Sequence, residues 1–123
     1  MALHLIGLWR NEQHPDYPDP HDFKDAGWDE DKRHVVAGYL DAGTYLRGYM
    51  GLSPCRICGQ SNGSGEYTDG TLVWPEGLAH YVRDHFVRLP ASIEKHILGR
   101  LVRLEAEDVS VGWWAAGSPD PIP

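Results

Sequence analysis

The chain has 123 residues, of which 41% are hydrophobic and 24% charged, and its 18 acidic residues against 11 Lys and Arg give a net charge of −7. A protein that neutralises phosphates needs clustered cations, so this balance disfavours nucleic acid as a partner. The length predicts a single domain over 1–123, and the lack of a long apolar run and of a secretory leader predicts a cytoplasmic protein with no membrane partner.

The chain starts with an apolar segment and continues into a polar loop. Residues 2–9 are predicted to form a strand or a buried segment. Residues 11–27 contain three prolines and five acidic residues without apolar periodicity, which predicts a surface loop. Its side chains either are simply solvated or form a second, adventitious metal site; the candidates are His14, Asp16, Asp19, His21 and Asp22.

A helix is predicted over 29–41. The acidic residues 29–31 lie where the positive end of a helix dipole favours them, and Gly43 is suited to close the helix. Its predicted apolar face consists of Val35, Val36, Tyr39 and Leu40. Residues 44–51 then alternate loosely and are predicted to form a strand leading toward the cysteines.

Asp69 and Gly70 form a dipeptide that tolerates positive φ and predicts a β-hairpin with a two-residue turn. The predicted pairs are Thr68 with Thr71, Tyr67 with Leu72 and Gly65 with Trp74. One face of this hairpin is apolar and the other largely polar, as expected for a hairpin that packs against a helix.

Two further helices are predicted. Pro75 and Glu76 suit the first turn of the helix that follows the hairpin, with Leu78, Val82 and Phe86 on one face. The second is an amphipathic helix over 92–105 with Ser92 as its N-cap and its apolar stripe facing the core. Residues 109–114 are predicted to add a strand, with Trp113 and Trp114 in the core or at its edge.

The two cysteines of the chain predict a metal site. Cys55 and Cys58 form a C-x2-C pair, and His80 and His85 follow as H-x4-H, both within the spacings used for tetrahedral zinc. Thiolates and imidazoles suit Zn2+, so these four residues are predicted to bind it, with iron as the alternative ion. The competing interpretations are small core cysteines or a redox C-x-x-C pair.

The spacing of the two histidines sets a geometric condition. Residues five positions apart lie about 140° apart around a regular helix. Both His80 and His85 can therefore reach one ion only if the helix tightens or ends near Asp84. If the helix is regular, Asp84 or a water molecule would complete the site in place of His85.

The order of knuckle, hairpin and helix over 53–88 resembles the ββα arrangement of C2H2 zinc fingers and the knuckle and hairpin of zinc ribbons. The resemblance implies that Cys55, Cys58, His80 and His85 are the ligands. The helix lacks the basic residues with which DNA-binding fingers read bases, which again disfavours a nucleic-acid partner.

The predicted fold is α+β, with a zinc-stapled β-hairpin and helix packed with two further helices and one or two extra strands. The favoured function is a structural Zn2+ site in an interaction or accessory module whose partner is another protein. The first alternative is a zinc-dependent hydrolase or deaminase-like enzyme with an open Cys2His site, for which Glu76 is the nearest carboxylate by sequence. The second is a nucleic-acid-binding zinc finger, which the net charge of −7 disfavours. The run Pro54–Cys58 is similar to half of the nucleobase-deaminase signature, but the upstream H-x-E is missing.

Overall fold

The computed structural model describes residues 2–49 and 53–123. Within these ranges, helices and a four-stranded mixed sheet form an α+β fold, which confirms the predicted fold class. The strands are β1 (His4–Leu5), β2 (Thr44–Gly48), β3 (Gly65–Thr68) and β4 (Leu72–Pro75); the helices are α1 (Glu30–Asp41), α2 (Leu78–His85), α3 (Ala91–Glu105), α4 (Gly112–Ala115) and a 3-10 helix over Pro20–Phe23. No helix among the described residues is long and apolar enough to cross a membrane.

The sheet has the order β1-β4-β3-β2. The segment 2–9 contributes β1, which runs parallel to β4, while β2 and β3 pair antiparallel with a bulge between Tyr45 and Arg47. Both extra strands expected from the sequence are therefore present. The predicted continuation of β2 to Met50 and Gly51 lies outside the described residues.

The β3–β4 hairpin is real, but its predicted register is wrong by two residues. The observed pairs are Glu66 with Pro75, Tyr67 with Trp74 and Thr68 with Val73. Asp69 explains the longer turn, because its Oδ1 accepts hydrogen bonds from the N–H groups of Thr71 and Leu72 at 2.9 and 2.8 Å. A shift by two residues keeps every side chain on its face, so Tyr67 and Trp74 still share one.

Helix α1 follows the prediction at its start and departs from it at its end. The Asp29 side chain caps the helix by accepting from Lys32 N at 3.0 Å. The C-cap is Ala42 rather than Gly43, whose backbone is not left-handed. Gly43 is instead needed for packing, because a Cβ there would lie 2.5 Å from Trp74 Cζ2.

The core lies between the sheet and the packed pair α1 and α2. Trp74 is its centre: the ring is fully buried, and Nε1 donates to the carbonyl of Leu40 at 3.1 Å, which ties β4 to α1. The other fully buried large side chains are Leu40, Leu78, Ile97, Val36, Val82 and Val87. Val35, predicted on the core face of α1, is 46% exposed.

The end of the chain differs from the prediction. Helix α3 has Pro90 at its N-cap, and Ser92 makes no capping bond. Ile97 is buried, but Val102 and Leu104 at the far end of the stripe are largely exposed. Residues 109–114 do not form a strand.

The segment around α4 satisfies its own hydrogen bonds, which explains why it joins no sheet. Trp113 Nε1 donates to the carbonyl of Pro119 at 2.8 Å, and the N–H of Ser118 donates to the carbonyl of Trp113. Trp114 is 78% exposed and does not belong to the core.

The loop 11–27 is folded onto the body of the protein through its second half. Asp19 caps the 3-10 helix, and an isolated bridge pairs Lys24 with Val87. The five His and Asp residues proposed as a second metal site do not form a group of donors in the described part of the chain. The Asp19 carboxylate accepts from the backbone N–H of His21 instead.

Candidate metal centre

Cys55 and Cys58 lie in a short loop that reverses the direction of the chain, residues 53–62, which we call the knuckle. An isolated bridge between Pro54 and Ser61 closes its base. The N–H of Gly59 donates to the carbonyl of Cys55 at 2.8 Å, and Gly59 has φ +76°. This left-handed position favours glycine and explains why the C-x2-C pair is followed by that residue.

The knuckle is attached to α2 at the peptide between the two cysteines. The N–H of Arg56 donates to the hydroxyl of Tyr81 at 2.7 Å, and Tyr81 itself is buried edge-on against the ring of Trp9. Burial raises the pKa of Tyr81 to about 12 against the opposing effect of the Arg56 N–H, with the nearby Cys55 thiol adding to the rise. The phenol is therefore neutral and fixed, and it holds the cysteines next to the helix that carries the histidines.

Helix α2 starts later and ends earlier than a regular helix from Pro75 would. Pro75 belongs to β4, and Gly77 is the N-cap. The N–H of Phe86 bonds to the carbonyl of Tyr81, five residues before it, and Phe86 turns left-handed with φ 57°. The last turn is thus widened and then broken, so the expected irregularity near Asp84 is confirmed.

The widened turn brings the two imidazoles together. His80 Nε2 and His85 Nε2 are 3.2 Å apart, whereas a regular helix would place these side chains on different faces. Cys58 Sγ lies 3.4 Å from His80 Nε2. The predicted position of Phe86 on the apolar face of α2 is wrong, because the residue lies beyond the helix end.

Cys55, Cys58, His80 and His85 form one group whose ligand atoms all lie within 4.8 Å of one another. Zinc–ligand bonds of about 2.0–2.3 Å in a tetrahedron require donors about 3.3–3.8 Å apart. The separations of His80 Nε2 from His85 Nε2 and Cys58 Sγ, 3.2 and 3.4 Å, lie close to the lower end of this range, and separations up to 4.8 Å need only a small adjustment of side chains. Among the described residues, this is the one group of three or more such donors that could hold a metal ion.

The electrostatics of the group favour the protonation states that bind cations. Burial would raise the pKa of Cys55, but the N–H groups of Cys58 and Ile57 outweigh it and lower that pKa below its ordinary value. Burial lowers the pKa of His85, and the positive form of His80 would lower it further. Metal ions bind thiolates and neutral imidazoles, so both shifts favour binding.

Asp84 lies beside this group and not within it. Its Oδ2 is 2.7 Å from Nδ1 of His80, the ring nitrogen opposite the one that faces the other donors. A carboxylate in this place fixes which nitrogen carries the proton and leaves Nε2 with its lone pair. The structure therefore does not show the arrangement in which Asp84 takes the place of His85.

Glu76, the carboxylate expected to serve an enzyme, lies outside the group of donors. Its Oε1 accepts from the N–H groups of Ser64 and Gly65 at 3.3 and 3.1 Å, which fixes the start of β3. Tyr81 supports the site but was not predicted to do so. Its position directly after His80 in a helix with an apolar face was the available indication.

Comparisons with known protein families, with curated proteins and with solved structures find no significant match to this chain. The resemblance to zinc fingers is supported only by the group of four donors and by the order of elements. The knuckle also precedes the β3–β4 hairpin instead of lying inside it. What the protein does must therefore be argued from the site itself.

Proposed function

We propose that this protein binds one Zn2+ ion through Cys55, Cys58, His80 and His85, and that the ion has a structural role. The convergence of the four ligand atoms within 4.8 Å is the observation that carries the proposal. Four protein donors fill a tetrahedral coordination sphere and leave no position for a catalytic water molecule. The ion would join the knuckle to the end of α2.

The surroundings of the site support a structural role over an enzymatic one. The carboxylate of Asp84 accepts a hydrogen bond from Nδ1 of His80, and that of Glu76 accepts hydrogen bonds from backbone N–H groups. Neither is free to transfer a proton to a substrate. Both cysteines are free thiols, which suits a protein of the reducing cytoplasm.

We further propose that the zinc-stabilised domain serves as an interaction module for another protein. Large apolar side chains that are strongly exposed in the described structure motivate this part of the proposal, since contiguous exposed apolar patches mark partner surfaces. They lie near the end of the chain and are Val109, Val111, Trp114 and Ile122. The net charge of −7 again favours a protein partner over nucleic acid.

Metal analysis of purified protein tests the zinc site directly. We expect one equivalent of Zn2+ in the wild type and strong loss of metal in Cys55→Ser and in His85→Ala, because each change removes one of four donors. His34→Ala is the matched control, since His34 is a solvent-exposed histidine of α1 next to Glu30. A wild-type protein without stoichiometric metal, or a His85→Ala variant that keeps full occupancy, would contradict the proposal.

The partner-protein proposal requires a separate comparison. Pull-down of bound proteins is compared for three baits: the wild type, Trp114→Ala and Tyr45→Ala. Tyr45 is the control because it is an exposed aromatic residue on β2. Selective loss of one bound protein in the Trp114 variant is the expected result. Identical recovery with all three baits would reject this surface as the point of contact.

A further inference from the structure

Arg33 is a buried arginine whose charge has no acidic partner within salt-bridge distance among the described residues. It lies on the face of α1 that packs on α2 and is only 8% exposed. A buried, unpaired charge is costly, so the contacts that keep the guanidinium in place are informative.

Two of these contacts fall on the last turn of α2. Nη1 of Arg33 donates a hydrogen bond to the carbonyl of Arg83. The guanidinium carbon also lies 4.4 Å from the centre of the Phe86 ring, within cation–π range. The negative end of the helix dipole and an aromatic face thus take the place of a carboxylate.

Phe86 has a backbone conformation that contacts from other elements must stabilise. Its φ of 57° lies in the left-handed region, which is unfavourable for a residue with a Cβ and is usually occupied by glycine at a helix end. Arg33 holds the ring of Phe86, and the N–H of Asp25 donates to its carbonyl at 2.9 Å. The conformation is therefore imposed by neighbouring elements and not by the residue itself.

The left-handed end of α2 adjoins the ligand set. It follows His85 immediately and completes the widened turn that brings His85 Nε2 to 3.2 Å from His80 Nε2. Relaxation of Phe86 to a right-handed conformation would let α2 continue as a regular helix. His85 would then lie about 140° from His80 around the helix axis.

We infer that Arg33 is a positioning residue for the metal centre: by holding the Arg83 carbonyl and the Phe86 ring, it fixes the helix end that delivers His85 as the fourth ligand. This inference rests on the proposed zinc site. Without Arg33, the ion keeps Cys55, Cys58 and His80, and water replaces the imidazole of His85.

Cobalt substitution tests the inference, because the visible absorption of Co2+ reports its ligands and geometry. We expect Arg33→Met to bind Co2+ at least about tenfold more weakly, the lower end of the effect of ligand-supporting residues. Its spectrum should match that of His85→Ala. Arg47→Met, which changes an exposed arginine paired with Glu66, should keep the wild-type spectrum and affinity.

A rescue variant separates positioning from general stabilisation. Glycine adopts a left-handed conformation without help, so Arg33→Met combined with Phe86→Gly should recover the wild-type Co2+ spectrum. If Arg33 only stabilised the fold, Arg33→Met would lower the melting temperature and leave the Co2+ spectrum and affinity unchanged, which would overturn the inference.

Position 86 provides a second test that does not depend on the folding of the Arg33 variant. Phe86→Ala keeps a Cβ and loses the ring, so it should weaken Co2+ binding, whereas Phe86→Gly should not. Equal Co2+ affinities in these two variants would also overturn the inference. Failure of the wild type to bind Co2+ would instead reject the proposed zinc site.

Discussion

The two ring nitrogens of His80 have different partners. Nδ1 lies 2.7 Å from the carboxylate of Asp84, while Nε2 faces Cys58 and His85. This arrangement makes Nε2 a better metal ligand, because the carboxylate holds the proton on Nδ1. The sequence showed the i, i+4 pair but could not show which nitrogen Asp84 would contact.

We expect Asp84→Ala to weaken zinc binding by about 10–100-fold, since His80 loses the group that orients it. Asp84→Asn should have a smaller effect, because an amide oxygen also accepts a hydrogen bond from the N–H at Nδ1. Competition titration with a coloured chelator measures both. Asp16→Ala, an exposed aspartate of the loop 11–27, is the control. Equal affinities of Asp84→Ala and Asp16→Ala would rule out this role.

At the scale of elements, the predictions were correct where bonds between residues close in sequence decide the structure. Helix α1 begins where the acidic residues 29–31 indicated, and Asp29 bonds to a residue only three positions away. The hairpin turn is longer than predicted because the Asp69 carboxylate accepts from the N–H groups of Thr71 and Leu72. The same carboxylate contacts Tyr39 on α1 and His96 on α3. Those partners are 30 and 27 residues away and leave no trace in the local pattern.

The packing of α1 against β4 gives a second prediction. Gly43→Ala would place a methyl group 2.5 Å from Trp74 Cζ2 and 3.1 Å from Tyr67 Cβ, so we expect a loss of about 1–3 kcal/mol in the free energy of unfolding. Gly38→Ala is the matched control: nothing lies within 4 Å of a Cβ at this position inside α1.

Gly38→Ala should stabilise the protein by about 0.5–1 kcal/mol, because alanine restricts the unfolded chain and favours the helix. Urea unfolding followed by circular dichroism measures both changes. The packing argument fails if the two substitutions shift the transition in the same direction.

The end of α2 is the part of the site whose structure the sequence could not explain. The C-x2-C pair and the two histidines were visible as ligands because their spacings are local. The feature that joins His85 to His80 depends on Arg33, which lies on another helix about fifty positions earlier. The sequence therefore indicated that an irregularity was needed, and only the packing of α1 on α2 shows how it arises.

At the scale of the whole molecule, the hydrophobic core lies largely apart from the proposed metal ligands. Its centre is Trp74 packed against α1 and α2, and of the four proposed ligands only Cys55 is fully buried. An isolated zinc-finger peptide unfolds without metal because it has no comparable core. This chain should behave differently.

We expect chelation of the metal to lower the melting temperature while most of the helical circular dichroism at 25 °C remains. Free Zn2+ at about 1,000 times its Kd adds about 4 kcal/mol to stability, so the shift should be large. Hydrogen exchange should accelerate mainly in the knuckle and in the last turn of α2. Complete unfolding of the chelated protein at 25 °C would contradict this prediction and show that the core is not stable without the metal.

The two sulfurs differ in exposure, since Cys55 is enclosed and Cys58 lies at the surface. In the proposed site, Cys58 is the most exposed ligand, so a competing thiol or chelator should reach the ion most readily from its side, where one bond can be exchanged without opening the interior. Departure of the ion would then be stepwise, with Cys58 released early and Cys55 last. The enclosed sulfur would set the lifetime of the complex, whatever its affinity at equilibrium.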